Sequence, residues 1–450
     1  MTKMPSYTST TNACKLCKPL GASIAFRGIE GCVPFLHGSQ GCATYMRRYI
    51  ISHFNEPIDI ASSSLGEKNA IYGGGPNLKL GLKNVTSKYA PKLIGVATTC
   101  LTETIGDDLP MILAEYKKEF GTADMPLLVH VSTPSYAGTH MEGFHAAVRA
   151  VVEQLATKAL PNDSINLLCG FISPADIRYL REVCRDFAID ATILPDYSDT
   201  LDGPALNDYP LIPEGGTKLS AIRTMGGARA TLELGATLPD VTGGTVLRDR
   251  HSTPLHRTGL PVGIRATDAF FEILTEITGR AMPERHAAAR GRLIDSMVDG
   301  HKYVFGKKAV VYGEEDMVVG MTAFLAEIGV KPVLCASGGK SGRMAEGIAA
   351  AIDGLDCPMP LVKEDVDFYD IETLAGELEV DLVVGHSKGH AFARQENLPL
   401  IRVGFPIHDR IGGQRILHLG YHGAQALFDL IANTMIEKKQ NDSPVGYSYM

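Results

Sequence analysis

Three cysteines in the first hundred residues share one kind of setting. Cys17 lies in KLCKPLGASIAF, where Pro19 suits the first turn of a helix that Ala22, Ile24 and Ala25 continue. Cys42 follows the turn Gly38-Ser39-Gln40-Gly41 and opens the helical stretch ATYMRRYIISHF. Cys100 ends the apolar run LIGVATT and precedes a helical pattern carrying Thr102 and Glu103 near its start. Each thiol therefore stands at or near a helix N-terminus, where unpaired N–H groups and the helix dipole favour a thiolate. Three such thiols suit an anionic iron–sulfur site. They cannot complete the usual four-thiolate cluster, so a partner chain is expected to supply the rest, with the cluster at a subunit interface.

The other cysteines read differently. Cys169, Cys184, Cys335 and Cys357 fall inside strand or helix patterns, where a cysteine acts as a small hydrophobe. Cys14-x-x-Cys17 resembles half a zinc ribbon or a redox dithiol, but no second close pair exists for zinc, and TSTTNA before it is not a strand. Cys14 and Cys32 stay as candidate extra ligands or bystanders.

Ligands of open parallel sheets bind beyond the carboxyl ends of the strands, so the elements must bring these turns to one edge. Apolar runs alternate with helical patterns along the chain: PKLIGVATT (91–99) before TETIGDDLPMILAEYKKEF, MPLLVHVST (125–133) before GFHAAVRAVVEQLATKA, and SINLLCGF (164–171) before PADIRYLREVCRDF. DATILP follows, then KKAVVYGE (307–314), KPVLCAS (331–337), DLVVGHS (381–387) and LPLIRVGFP, with helical stretches between the later runs. Strands apolar throughout, separated by helices, indicate parallel sheets covered on both faces. The expected fold is α/β with repeated doubly wound units, divided at about 1–158, 159–290 and 291–450; two or three domains are expected, because one core rarely grows beyond roughly 250–300 residues.

Composition narrows the function. The 450 residues are 45% hydrophobic and 21% charged, with a formal net charge of −8. No basic block beyond pairs such as Arg47-Arg48 and Lys307-Lys308 marks a nucleic-acid surface. The N-terminal MTKMPSYTSTTN lacks an apolar signal core and no later run is long enough to span a membrane, so a cytoplasmic location is expected. Nine cysteines in a reducing compartment are not disulfides.

On these residues the sequence resembles the β-type subunits of nitrogenase component 1 and its relatives. The matching segments are CKPLGASIAFRG, PFLHGSQGCATYMRRY, HFNEPIDIASSSLGEKNAIYGGGPNLKLGL, PKLIGVATTCLTETIGDDL and STPSYAGTH. Later come RGRLIDSMVDGHKYVFGKKAVVYGEEDMVVGMTAFLAEIG and DLVVGHSKGHAFARQENLPLIRVGFPIHDR. The resemblance covers most of the chain and is weakest over 205–250. It implies three Rossmann-like domains and an α2β2 heterotetramer with a homologous α-type subunit. It also implies an 8Fe-7S P-type cluster held on this side by Cys17, Cys42 and Cys100, with Ser135 of TPSYAG matching a serine that joins the oxidised cluster. The cluster would relay electrons from an ATP-hydrolysing iron protein to a catalytic cofactor in the α-type partner.

The chain is expected to be shorter than catalytic nitrogenase β subunits, without their long N-terminal extension. That shape also fits the scaffold on which the nitrogenase cofactor is assembled, which shares a simpler 4Fe-4S cluster, but the best-known scaffolds keep only the cysteine of HGSQGC. A full ligand set with a compact chain ranks first a nitrogenase-like reductase, such as the methylthio-alkane reductases that cleave C–S bonds, with dinitrogen as the other substrate.

Other motifs compete. GHSKG (385–389) fits the nucleophile-elbow pattern G-x-S-x-G, with His408, His418 and His422 downstream, so a serine hydrolase on Ser387 is the rival enzyme class. SGGKSG (337–342) imitates a phosphate-binding loop, but Leu334 stands where its first glycine belongs. GGG at 73–75 lacks dinucleotide-binding spacing. Lone histidines such as His53 and His140 read as surface or hydrogen-bonded core groups. Asp107 and Asp108, expected within the helix after Cys100, read as structural or solvated carboxylates.

Overall fold

The computed structural model describes residues 12–122 and 124–445. Among these residues thirteen strands form three sheets, and every pairing within them is parallel. The first holds β1 (Cys32–His37), β2 (Ala61–Ser62), β3 (Leu93–Thr98) and β4 (Leu127–Val131) in the order β2-β1-β3-β4. The second holds β5 (Ile165–Leu168), β6 (Ala191–Leu194), β7 (Ala230–Leu234) and β8 (Leu255–Thr258) in the order β6-β5-β7-β8. In the third, β9 (Lys308–Tyr312), β10 (Lys331–Ala336), β11 (Leu361–Lys363), β12 (Leu382–Gly385) and β13 (Leu400–Arg402) take the order β11-β10-β9-β12-β13. This is the expected α/β class in two windings. The third sheet follows the dinucleotide-fold order from its centre outward, and the first two follow the flavodoxin-like order.

Period-2 alternation with both faces buried explains why the strands of the first sheet are apolar throughout. Val33, Phe35, Ile94, Val96 and Leu128 face one way, against Leu78, Leu82, Ile112 and Tyr116 of the helices Gly75–Tyr89 and Leu109–Phe120. Leu36, Leu93, Ala97 and Val129 face the other way and join Leu20, Ile24 and Phe144 in a core that runs on through all three sheets.

Several elements differ from the sequence expectation. The helix after Cys100 is broken: Cys100–Ile105 ends at Gly106 (φ +78°) and a second helix starts at Leu109, so Asp107 and Asp108 lie in the break rather than in a helix. β1, like β2, β7, β8 and β11, is not among the expected apolar runs, and it carries Pro34, which is unusual in a central strand. It is accommodated because β2 is only two residues long and pairs at Phe35 and Leu36. No helix among the described residues is long and apolar enough to cross a membrane.

Candidate functional site

Adjacency of β1 and β3 brings two of the cysteine turns together, since His37 registers with Thr98 at the strand ends. The Thr99 N–H and the Thr102 hydroxyl both donate to the His37 carbonyl, at 3.1 and 2.9 Å. The turn after β1 lies so close that a Cβ on Gly38 would sit 2.1 Å from Thr99 Oγ1. From there the helix Gln40–Phe54 starts with Ser39 as its N-cap, and Cys42 is its third residue, accepting from Ser39 Oγ at 3.4 Å. Cys100 is the first residue of its own helix, with Thr99 at the N-cap.

The segment leaving β4 is stitched to the same edge. Thr133 N–H donates to Thr98 Oγ1 at 2.8 Å, and the Thr133 hydroxyl to the Thr98 carbonyl at 2.7 Å. Two residues on, the Ser135 N–H donates to Cys100 Sγ at 3.2 Å, while the Ser135 side chain stands near enough to Cys17 to lower its thiol pKa. Cys17 is the N-cap of Lys18–Arg27, tied to the helix His140–Leu155 through a bridge to Thr139 and the 3.0 Å bond from His140 N–H to the Leu16 carbonyl.

The structure thus gathers Cys17, Cys42, Cys100 and Ser135, all half-buried, from four segments. Burial is the main cause raising the Cys17 thiol above its ordinary pKa; the Ser135 side chain opposes it, negative charge on Cys100 and Cys42 adds to it, and the Lys388 ammonium opposes it. Thiolates held this close repel one another unless a positive group sits among them. Among the described residues no three or more His, Cys, Asp or Glu side chains are placed to enclose a single metal ion.

Cys14 and Cys32 lie elsewhere. Both are buried, burial pushes both thiols up to about 12, and Cys14 Sγ faces His386 Nε2 at 3.8 Å. They are core groups, as are Cys169, Cys184 and Cys335. Exposed apolar side chains flank the thiols: Tyr45 one turn after Cys42, Tyr136 beside Ser135, and Ile71 and Tyr72 on the helix packed against Cys100–Ile105.

Lys388 is the site neighbour that sequence reading missed as such. Its Nζ donates to the Ala13 carbonyl at 2.6 Å and lies 5.9 Å from the Tyr49 ring centroid, within electrostatic reach of Cys17. The signal was GHSKG, whose serine drew the hydrolase reading. That reading fails on geometry: the Ser387 hydroxyl donates to the Asp409 carboxylate and accepts from the His408 backbone N–H at 3.1 Å, and no described histidine ring hydrogen-bonds to it. The SGGKSG amides likewise serve the chain's own carboxylates. Ser341 N–H donates to Glu315 at 3.1 Å, and Gly342 N–H to Glu364 at 3.1 Å.

The three parallel sheets place the protein in the α/β class, and the chain belongs to the nitrogenase component 1 type oxidoreductase family, whose profile matches residues 17–436. Within it this is a β-type chain. It is 36% identical over 432 residues to the nitrogenase molybdenum-iron protein beta chain of Clostridium pasteurianum, covering 96% of this chain and 94% of that one. It is 34% identical to the nitrogenase vanadium-iron protein beta chain of Trichormus variabilis, covering 93% and 92%. The solved structure described as nitrogenase Cp1 at pH 6.5 superposes with a TM-score of 0.96 at 35% identity, over 99% of this chain and 98% of that one. The expectation that a compact chain sets this protein apart from catalytic β subunits therefore does not hold for these relatives.

Proposed function

We propose that Cys17, Cys42 and Cys100, with Ser135, hold this chain's half of an 8Fe-7S P-type cluster shared with a homologous α-type subunit in a cytoplasmic α2β2 complex. The observation that carries the reading is Ser135 standing between two thiols, N–H to Cys100 and side chain to Cys17, with Cys42 in charge range of the same group. The donor set fits. Three sulfur ligands and an ionisable hydroxyl with no enclosing fourth side match one side of a multi-iron group better than a lone ion.

When bound, such a cluster supplies one-electron transfer between an ATP-hydrolysing iron protein and the partner's catalytic cofactor. This chain's residues bind and tune. The Ser39 hydroxyl and the Ser135 N–H donate to sulfur, and Lys388 offsets thiolate charge, which together bias the site's potential. The exposed Tyr45, Ile71, Tyr72 and Tyr136 supply apolar area for the partner to cover and so exclude water. Substrate chemistry falls to the partner, with dinitrogen and the C–S bond of a methylthio-alkane as the two substrates to assay. A complete thiol set with Ser135 favours this relay over the assembly scaffold and its 4Fe-4S cluster.

Co-purification with the α-type partner followed by iron analysis and EPR tests the reading. Cys42→Ala should lower iron content, change the cluster signal and abolish iron-protein-dependent turnover; an unaltered spectrum and iron content would overturn it. Turnover of either substrate by the native complex supports the reductase, whereas an inert complex that donates its cofactor to another protein identifies the scaffold.

A further inference from the structure

At the far end of the helix that Cys17 caps, about 15 Å along its axis, Arg27 is only 4% exposed, and its guanidinium makes no hydrogen bond or ion pair with any described residue. A buried cation without an acceptor is costly. Burial lowers its pKa to about 10, and nearby Cys32, Asp59 and Glu56 oppose that shift without reaching ion-pair distance. Arg27 lines a cavity of about 560 Å³, within the size range of small-molecule sites. The segment after β6 also lines it, with Leu206, Tyr209 and Leu211 43%, 63% and 59% exposed, as does the buried Ile58.

Four carboxylates also line the cavity, and two are already engaged. Asp59 accepts from Tyr89 OH at 2.7 Å and pairs with Arg47 at 3.5 Å, and Asp199 pairs with Arg181 at 3.3 Å. Burial and Asp202 raise the Glu56 carboxyl above its ordinary range, and among the described residues Glu214 makes no hydrogen bond or ion pair. None lies within ion-pair distance of Arg27. The walls thus combine an apolar surface, a single unsatisfied fork of donors, and a negative background that penalises a dianion more than a monoanion.

We infer that this cavity binds a small monocarboxylate with an apolar body, its carboxylate on Arg27 and its body against Leu206, Tyr209 and Leu211. The site is separate from the thiol site and does not depend on the cluster assignment.

Calorimetric titration of the purified complex tests it with three probes: 3-phenylpropionate, its neutral amide 3-phenylpropanamide, and inorganic phosphate. The acid should bind at one site per chain, about 10- to 100-fold tighter than the amide, the range of a charge-assisted bond, and phosphate should not compete. Arg27→Met should erase the preference for acid over amide, leave the iron content unchanged, and raise the melting temperature of the ligand-free complex by removing an unpaired charge. Leu211→Ala should weaken binding of the acid while keeping that preference, and it decides the matter if Arg27→Met does not fold. Equal affinity for acid and amide, acid binding that survives Arg27→Met, preference for phosphate, or no binding of the acid would each overturn the inference.

Discussion

His37 ends β1 fully buried, its Nδ1 against Ser63 Oγ at 2.9 Å and its Nε2 against Asp107 at 3.1 Å. Asp107 also accepts the Gly74 N–H at 3.0 Å, while its neighbour Asp108 caps the following helix by accepting from Met111 N–H at 2.9 Å. Sequence reading treated the two alike, as structural or solvated carboxylates, but their weights differ. Asp107→Ala strands a buried imidazole and a buried amide directly beneath the cysteine turns, and should cost about 2–4 kcal/mol. Asp108→Ala removes one N-cap and should cost about 1 kcal/mol. Denaturant titration of the two variants checks the ranking, and equal losses would refute it. The three thiols were legible as residues because each follows a turn into a helix. Lys388 was not, since its nearness to Cys17 joins positions 371 apart in the chain.

Helices meet where side chains permit. Lys18–Arg27 crosses His140–Leu155 at two glycines: a Cβ on Gly21 would lie 1.6 Å from the His140 carbonyl oxygen, and one on Gly143 would lie 1.8 Å from that of Lys18. The backbone contact fixes Cys17 relative to the segment bearing Ser135. Gly21→Ala must push the helices apart, so it should cost more than about 3 kcal/mol and lower iron content without touching a ligand. Gly41→Ala meets nothing within 4 Å and should leave stability within about 0.5 kcal/mol. Thermal unfolding and iron analysis of both separate the cases, and a wild-type Gly21→Ala would sink the argument. The sequence showed both glycines near cysteines but not which one faces another helix. The same limit hid the break at Gly106, because the apolar period resumes on its far side.

Across the whole molecule, the three sheets meet at buried polar contacts. His140 Nε2 faces Glu314 at 3.0 Å, the Ile407 N–H donates to His53 Nδ1 at 2.9 Å, and the His418 N–H donates to Asp176 at 2.7 Å. Burial depresses His53 to about 3 and His386 to about 4, so the folded chain keeps both neutral where the unfolded chain protonates them near pH 6.5. Below that pH the unfolded state binds more protons, and stability falls as the pH drops from about 6.5 toward 4, by up to about 2.7 kcal/mol per pH unit for the two protons. Glu315, raised by burial to about 7, works in the opposite sense, so denaturation midpoints at pH 7.5 and 5.5 are compared between wild type and a histidine variant. His386→Gln should remove about half of this contribution, and an unchanged pH slope in that variant would contradict it.

Local patterns in the sequence determined the α/β class, the apolar parallel strands and the three cysteine turns, because period and turn chemistry act over a few residues. The tertiary structure alone decided the two sheet windings, the meeting of Ser135 with two thiols, the locking of Ser387 onto Asp409 and the isolation of Arg27. Each of these depends on which distant segment fills the space beside a residue, and that is set by strand order and helix crossing rather than by neighbours in the chain.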